Sequence, residues 1–126
     1  MREKVELIDF LAPYLTRYTA FIIVCIGLNI NTFTKLLESI DGLQRSILSN
    51  NLKLLEAEDL ITHDKLGRSK KYSLTSKGNK LNKLYINFAL GVTNIFKDKN
   101  IEMFGVSMSN TNKMKLAMEL KNKFKI

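Results

Sequence analysis

Apolar residues recur along this chain at two periods, and the changes of period divide it into elements. Leu7, Ile8 and Leu11 stand at helical spacing within residues 3 to 11, until Pro13 interrupts and permits a fresh helix start. From Tyr14 to Leu28 the run is apolar nearly all round, which predicts a helix buried on most faces, the central post of a core. The polar break "LNINT" follows, where Asn31 or Thr32 can cap a helix whose Phe33, Leu36, Leu37 and Ile40 form one stripe. Asp41-Gly42 is a strong turn signal. A further helix is predicted from about Gln44 to Ala57, with Leu48, Leu52 and Leu55 inward. At about 100° per residue, Ser46, Ser49, Asn50 and Lys53 fall on its opposite side, with Arg45 at the flank. Two short helices joined by a tight turn, the second showing small polar and basic residues outward, make a helix-turn-helix arrangement.

The period then shortens. "LITHD" and "KKYSLT" are strand-like runs linked by "KLGRS" with a central glycine, which predicts a β-hairpin with Lys65, Arg68, Lys70 and Lys71 at its tip and second strand: a wing. Thr75 can cap the next helix, where Leu81, Leu84, Tyr85, Phe88, Val92, Ile95 and Phe96 hold a stripe over more than four turns. That is more than a small domain covers by itself, so part of the stripe is expected to meet a second copy of the chain. "KDKNIE" loosens the pattern, "GVSMSNTN" reads as a loop, and "KMKLAMELKNKF" predicts a last helix with Leu116, Leu120 and Phe124 aligned. The expected fold is mainly α with a small β-hairpin wing (α+β), a winged helix-turn-helix that is dimeric through its N- and C-terminal helices. Residues 1–96 would form the winged-helix domain with its dimerisation helix, the helix-turn-helix at about 32–57 and the wing at about 60–75. Residues 97–126 would be a C-terminal extension with a helix over 113–124.

Length and composition agree with one unit: 126 residues, 45% apolar and 25% charged, suffice for a packed core without metal or disulfide support. The net charge of +8 is unevenly spread, summing to 0 over residues 1–30, +2 over 31–78 and +6 over 79–126. Charge of this size suggests an anionic partner, nucleic acid before membrane. Lys outnumbers Arg sixteen to four, which codon bias toward A and T would also produce, so charge alone decides little. The single cysteine, Cys25, excludes an internal disulfide and fits a reducing interior; inside "AFIIVCIGL" it reads as a small buried hydrophobe. That run is about half the roughly 20 residues a membrane span needs, and the acids Glu3, Glu6 and Asp9 ahead of it do not suit a signal peptide, so the expectation is cytoplasmic with no membrane partner. One His, one Cys, no phosphate-cradling glycine loop and no paired carboxylates read as a non-enzyme without cofactor. His63 reads as a strand surface residue, with no ligand cluster to suggest a metal.

The stretch from Arg17 to Leu81, about half of the chain, resembles winged helix-turn-helix transcriptional regulators, most closely the HxlR type within the MarR-like group. The resemblance is carried by "FTKLLESIDGLQRSILSNNLKLLEAEDLI", which has the spacing of that family's second and third helices, and by "YSLTSKGNKL", similar to its closing wing strand and next helix start. It implies a dimeric DNA-binding protein whose third winged-helix-domain helix enters the major groove, with the wing against the backbone or minor groove. Proteins of this type often carry a cysteine just ahead of the first winged-helix-domain helix. Cys25 lies inside that helix, so their thiol switch is not carried over, and the tail after about Lys97 has no counterpart.

Duplex DNA carries a negative charge for about every 1.7 Å of axis, so a carboxylate on the docking face would be repelled by several phosphates. "LQRSILSNNLK" holds two bases and no acid, while Glu38, Asp41, Glu56, Glu58 and Asp59 are placed at the ends and rear. On the recognition helix, which Gln44 opens, Arg45 can form a bidentate contact to guanine and Asn50 to adenine, each worth about 1–3 kcal/mol of discrimination. Ser46 and Ser49 allow close approach, and Lys53 is placed for phosphate. In the wing, Lys65, Arg68, Ser69, Lys70 and Lys71 are candidate contacts, Arg68 beside Gly67 reaching the minor groove; Thr32, Thr34 and Lys35 are candidate phosphate contacts. The function read from these residues is a sequence-specific double-stranded DNA-binding transcriptional regulator acting as a homodimer. Two other readings stand beside it: an architectural or chromatin protein, for which the Lys excess and the +6 C-terminal portion speak, and a winged-helix protein-interaction module. A small-molecule effector would fit between the long stripe and the apolar helix, but no polar constellation identifies one.

Overall fold

The computed structural model describes residues 4–108 and 111–124. A short helix, α1 (Leu7–Leu11), runs into a 3-10 turn at Ala12–Leu15 with proline at its start. The helical spacing from residue 3 therefore becomes helix only from Leu7, residues 1–3 lying outside the described ones. The apolar post is α2 (Arg17–Gly27), three residues shorter at its start than the apolar run. Thr16, in extended conformation at ψ 150, separates it from the 3-10 turn and caps it by accepting from the Thr19 amide. Ile22, Ile23, Val24, Cys25 and Ile26 are all buried here, so α2 is covered on nearly every side.

Asn29, at φ 66, turns the chain out of α2. Thr32 then caps α3 (Phe33–Ser39), accepting from the Lys35 amide at 3.3 Å, and Gly42 at φ 78 makes the tight turn into α4 (Arg45–Ala57). Strands β1 (Ile61–Leu66) and β2 (Ser69–Leu74) pair antiparallel from Ile61↔Leu74 to Leu66↔Ser69, closed by a two-residue loop whose Gly67 sits at φ 65. The free edge of β2 is held to the α2–α3 connection. Tyr72 N–H donates to the Asn31 carbonyl and the Asn31 side-chain amide donates back to the Tyr72 carbonyl, both at 2.9 Å. This reciprocal pair fixes the angle of the hairpin against the helices.

Thr75 caps α5 (Ser76–Ile95), accepting from Gly78 N–H while its hydroxyl donates to the Asp59 carbonyl. Gly78 lets the first turn of α5 lie against the Leu60 carbonyl oxygen, which a Cβ there would overlap. Beyond α5, "GVSMSNTN" is not all loop: β3 (Glu102–Met103) and β4 (Val106–Ser107) form a small hairpin turning through Phe104 at φ 52 and Gly105 at φ 78. Strands of two residues are too short to leave an alternating signature. The last element, α6 (Lys113–Phe124), places Leu116 and Leu120 in the same core as α2 and α4, with Met108 beside them. Winged helix and C-terminal segment thus share one hydrophobic cluster. Among the described residues no single helix is long and apolar enough to cross a membrane.

Candidate nucleic-acid interface

Amphipathic periodicity fixes which side of α4 is offered outward. Leu48, Leu52 and Leu55 are buried beneath it, and Gln44, Arg45, Ser46, Asn50 and Lys53 are exposed, with Ser49 half-buried. Over its first three turns this outer face carries no acid. The Arg45 guanidinium leans over the Phe33 ring at 5.9 Å, a cation–π contact across the turn that holds the side chain at the N-terminal end of the face.

Between the first turn of α3, the middle of α4 and strand β2 lies a groove of about 770 Å³. It gathers Thr32, Thr34 and Lys35 from α3 and its cap, Ser49 and Lys53 from α4, and Arg68, Ser69 and Lys70 from the wing. Gln44, Arg45, Ser46 and Asn50 stand outside its lining, toward the N-terminal half of α4, while Lys65 and Lys71 lie on the exposed hairpin opposite Lys70 and Asp64.

The groove departs from the expected charge pattern at two points, because Glu38 and Glu56 also line it. Glu56, in the last turn of α4, is paired: its Oε1 lies 2.7 Å from His63 Nδ1 on β1. His63, read from sequence as a strand surface residue, is thus a half-buried tie between recognition helix and wing, and its ring packs on Tyr72 at 5.9 Å. Burial, with Glu56 adding to it, raises the Tyr72 hydroxyl above its ordinary pKa.

A second residue escaped the sequence reading. Asn51 points inward: its Oδ1 accepts from the buried Thr19 hydroxyl at 2.6 Å and its Nδ2 donates to the Ile47 carbonyl at 2.9 Å. It binds α4 to α2 and so orients the outer face. The doublet Asn50-Asn51 offers no signal separating the two roles except helical phase, Asn50 being turned about 100° further from the leucine side.

The long stripe of α5 divides into two faces. Leu81 and Tyr85 turn inward against the core, Tyr85 donating its hydroxyl to the Tyr14 carbonyl at 2.7 Å, and Val92 is half-buried. Leu84, Phe88, Ile95 and Phe96 are exposed, as are Leu7, Ile8 and Phe10 on α1. Cys25 is completely buried, and desolvation pushes its thiol up to about 12.

Comparison with known proteins gives two kinds of result. No curated protein matches the chain in sequence. In three dimensions it is similar to a possible HxlR family transcriptional factor from Thermoplasma volcanium GSS1, at 23% identity and a TM-score of 0.61, covering 76% of this chain and 87% of that one. It is also similar to two structures of Lactococcus lactis ZitR. A cysteine-to-serine mutant superposes at a TM-score of 0.62 with 17% identity, covering 98% of this chain and 75% of that one. The other, described as a zinc-responsive MarR family member, gives 0.54 with 16% identity, covering 98% and 78%. These likenesses establish the shared fold. The zinc response is that protein's; among the described residues here, no three His, Cys, Asp or Glu side chains stand together as a metal-binding group. The HxlR-like helix-turn-helix family matches residues 15–97, from the turn ahead of α2 to just past the end of α5. With the groove, the wing and more than half of the chain inside that match, the protein belongs to the HxlR-like helix-turn-helix family and is a DNA-binding transcriptional regulator.

Proposed function

We propose that the chain binds double-stranded DNA sequence-specifically as a homodimer, α4 lying in the major groove and the wing on the backbone and minor groove. The observation that carries this reading is the acid-free outer face of α4 continuing into a groove lined by Thr32, Thr34, Lys35, Lys53, Arg68, Ser69 and Lys70. Arg45, Asn50 and the small Ser46, flanked by Gln44, are assigned to base edges; Ser49 lets the helix approach closely. Lys53, Thr32, Thr34 and Lys35 are assigned to one phosphate strand, and Lys65, Arg68, Ser69, Lys70 and Lys71 to the wing contact. Glu38 and Glu56 also line this groove, and Glu56, the one acid on α4 that enters it, is engaged with His63 Nδ1 at 2.7 Å. The exposed apolar residues of α1 and α5, among them Leu84, Phe88 and Ile95, are assigned to the dimer interface, which would set two recognition helices about 34 Å apart.

Selection of duplexes from a random-sequence library at about 150 mM salt tests the reading. Enrichment of an inverted repeat is the expected result. A second reading, a DNA-coating protein with little preference, is favoured by one observation: Lys113, Lys115, Lys121 and Lys123 are all exposed on α6. Retention without enrichment, weakened chiefly by loss of those lysines, would replace the first reading by the second.

A further inference from the structure

Beside the helix-turn-helix, on the side of α3 away from the wing, lies a cavity of about 590 Å³ between α2, the end of α3, the β3–β4 hairpin and the end of α6. The C-terminal segment builds half of it. Its apolar surface is a cluster of three rings: Phe104 lies 4.9 Å from Phe21, tilted by 47°, and 5.4 Å from Phe124, edge-on at 74°, centre to centre. Phe104 holds the left-handed conformation that a two-residue hairpin turn demands, where Asn, Asp or Gly would be unstrained. A bulky residue kept there against its backbone preference aims its half-buried ring at the other two.

Around the rings stand charges of both signs, Arg17 and Lys123 against Glu38, Asp41 and Glu102. The Lys123 ammonium rests by the hairpin tip, 3.2 Å from where a Cβ on Gly105 would stand. All five side chains are exposed to solvent, and among the described residues none of them is in an ion pair with another. Two basic and three acidic side chains stand around the rings without pairing to one another, Arg17 lying over the Tyr18 ring at 5.7 Å, and leave both a cationic and an anionic partner position open. The volume falls within the range of small-molecule sites, about 300–1,000 Å³.

We propose that this cavity binds a small zwitterion with an aromatic body, its ring on Phe21, Phe104 and Phe124, its carboxylate toward Arg17 and Lys123, and its amine toward Glu102, Asp41 and Glu38. The occupant would bridge the C-terminal hairpin to Ser39, Ile40 and Asp41, the segment that leads into α4, and Glu38 lines both this cavity and the groove. The inference is independent of the DNA reading, and its test contains no DNA.

The full-length chain is titrated with L-phenylalanine, 3-phenylpropionate and phenethylamine and followed by heteronuclear NMR. L-Phenylalanine is expected to give saturable shifts at Ile40, Phe104 and Gly105, with at least about tenfold higher affinity than either singly charged analogue. Glu102→Gln with Asp41→Asn should lower the affinity for L-phenylalanine toward that for phenylpropionate, and Lys123→Gln toward that for phenethylamine, Glu38 and Arg17 keeping a remainder of each. These side chains are exposed, so the variants keep the core intact. Absence of saturable shifts up to about 10 mM, shifts that map elsewhere, equal affinities for the three probes, or indifference to both variants would each overturn the proposal.

Discussion

Asn50 and Asn51, neighbours on α4, face different ways, and replacing each by alanine separates the hold of α4 on the core from the base contact proposed for Asn50. Asn51→Ala removes the acceptor of the Thr19 hydroxyl, on a residue 1% exposed, and a donor to the Ile47 carbonyl. A net hydrogen bond contributes about 0.5–1.5 kcal/mol, and a buried group left without its partner costs about 1–3 kcal/mol. Two features reduce the sum. The Thr16 hydroxyl lies 2.6 Å from that of Thr19 and can take its proton, and the Ile47 carbonyl belongs to a helix interior in which it has a backbone donor. The expected loss is about 1–2 kcal/mol, or a Tm lowered by roughly 5 °C for a chain of this length. Asn50→Ala faces solvent, so its stability should stay within about 0.5 kcal/mol of the parent, while discrimination of the preferred duplex falls by about 1–3 kcal/mol. Urea unfolding measures the first quantity, and competition between preferred and random duplexes the second. A double-mutant cycle of Asn51→Ala with Thr19→Val should return a coupling of about 1 kcal/mol. Equal stability loss from the two substitutions, or no coupling to Thr19, would refute the inward assignment of Asn51.

Phe88→Glu places a charge at a ring 71% exposed in the single chain, where dimerisation would cover up to about 140 Å² per copy, worth about 3.5 kcal/mol at most; sedimentation should show a parent dimer and a variant of half its mass. Gly78→Ala drives a methyl into the Leu60 carbonyl oxygen and forces α5 away from the start of β1, so a loss of at least about 2 kcal/mol is expected in chemical denaturation. Burial raises the Cys25 thiol from 9.0 to about 12 and the Tyr85 hydroxyl from 10.0 to about 12. The unfolded chain gives up these protons at lower pH than the folded one. Stability from the two groups is therefore full below pH 9 and is lost as pH rises from 9.0 toward about 12, and Cys25→Val should remove the earlier part of that decline.

Where a local rule had only one solution, the sequence was enough to place the element. Thr75 stands ahead of an apolar stripe and does cap α5, and the alternation around Gly67 is a hairpin as expected, while of the two cap candidates before α3 the structure uses Thr32 and gives the Asn31 side chain to Tyr72. Where polar or apolar residues filled both sides of a position, pattern lost its power. The run from Tyr14 to Leu28 reads as one apolar helix only if Thr16, Arg17 and Thr19 are passed over, and the structure starts α2 at that polar cluster, with Thr16 as its cap. In α5 the residues of one apparent stripe belong to two faces, since Leu81 and Tyr85 turn to the core while Leu84 and Phe88 turn away. The pairing of His63 with Glu56 joins a strand to a helix end, a relation set by the packing of α4 on β1 and not by spacing. In the candidate interface the outer face of α4 presents the polar and basic residues expected of it, whereas Glu38 and Glu56 enter the groove lining against the expected charge pattern. Which of them line one groove and which lie beyond it depended on the angle of the wing, fixed by Asn31 and Tyr72.

The C-terminal segment gives this chain a feature that its family match does not contain. Residues 98–124 lie beyond the matched 15–97, yet Leu116 and Leu120 are each 1% exposed and line one small cavity with Val24 of α2, Leu28 just past its end and Ile86 of α5. Burying a leucine contributes about 1.5–3 kcal/mol, so these two contacts with Met108 rival a good part of a domain's net stability. Their basic residues remain outside, Lys113, Lys115, Lys121 and Lys123 all being exposed. The same segment therefore contributes to the core through its apolar side, to the surface charge through its lysines, and to the aromatic cavity through Phe104 and Phe124. The cavity wall runs from this segment to the turn before α4, so an occupant of the proposed site would touch both the C-terminal segment and the chain that leads into the helix proposed to read DNA.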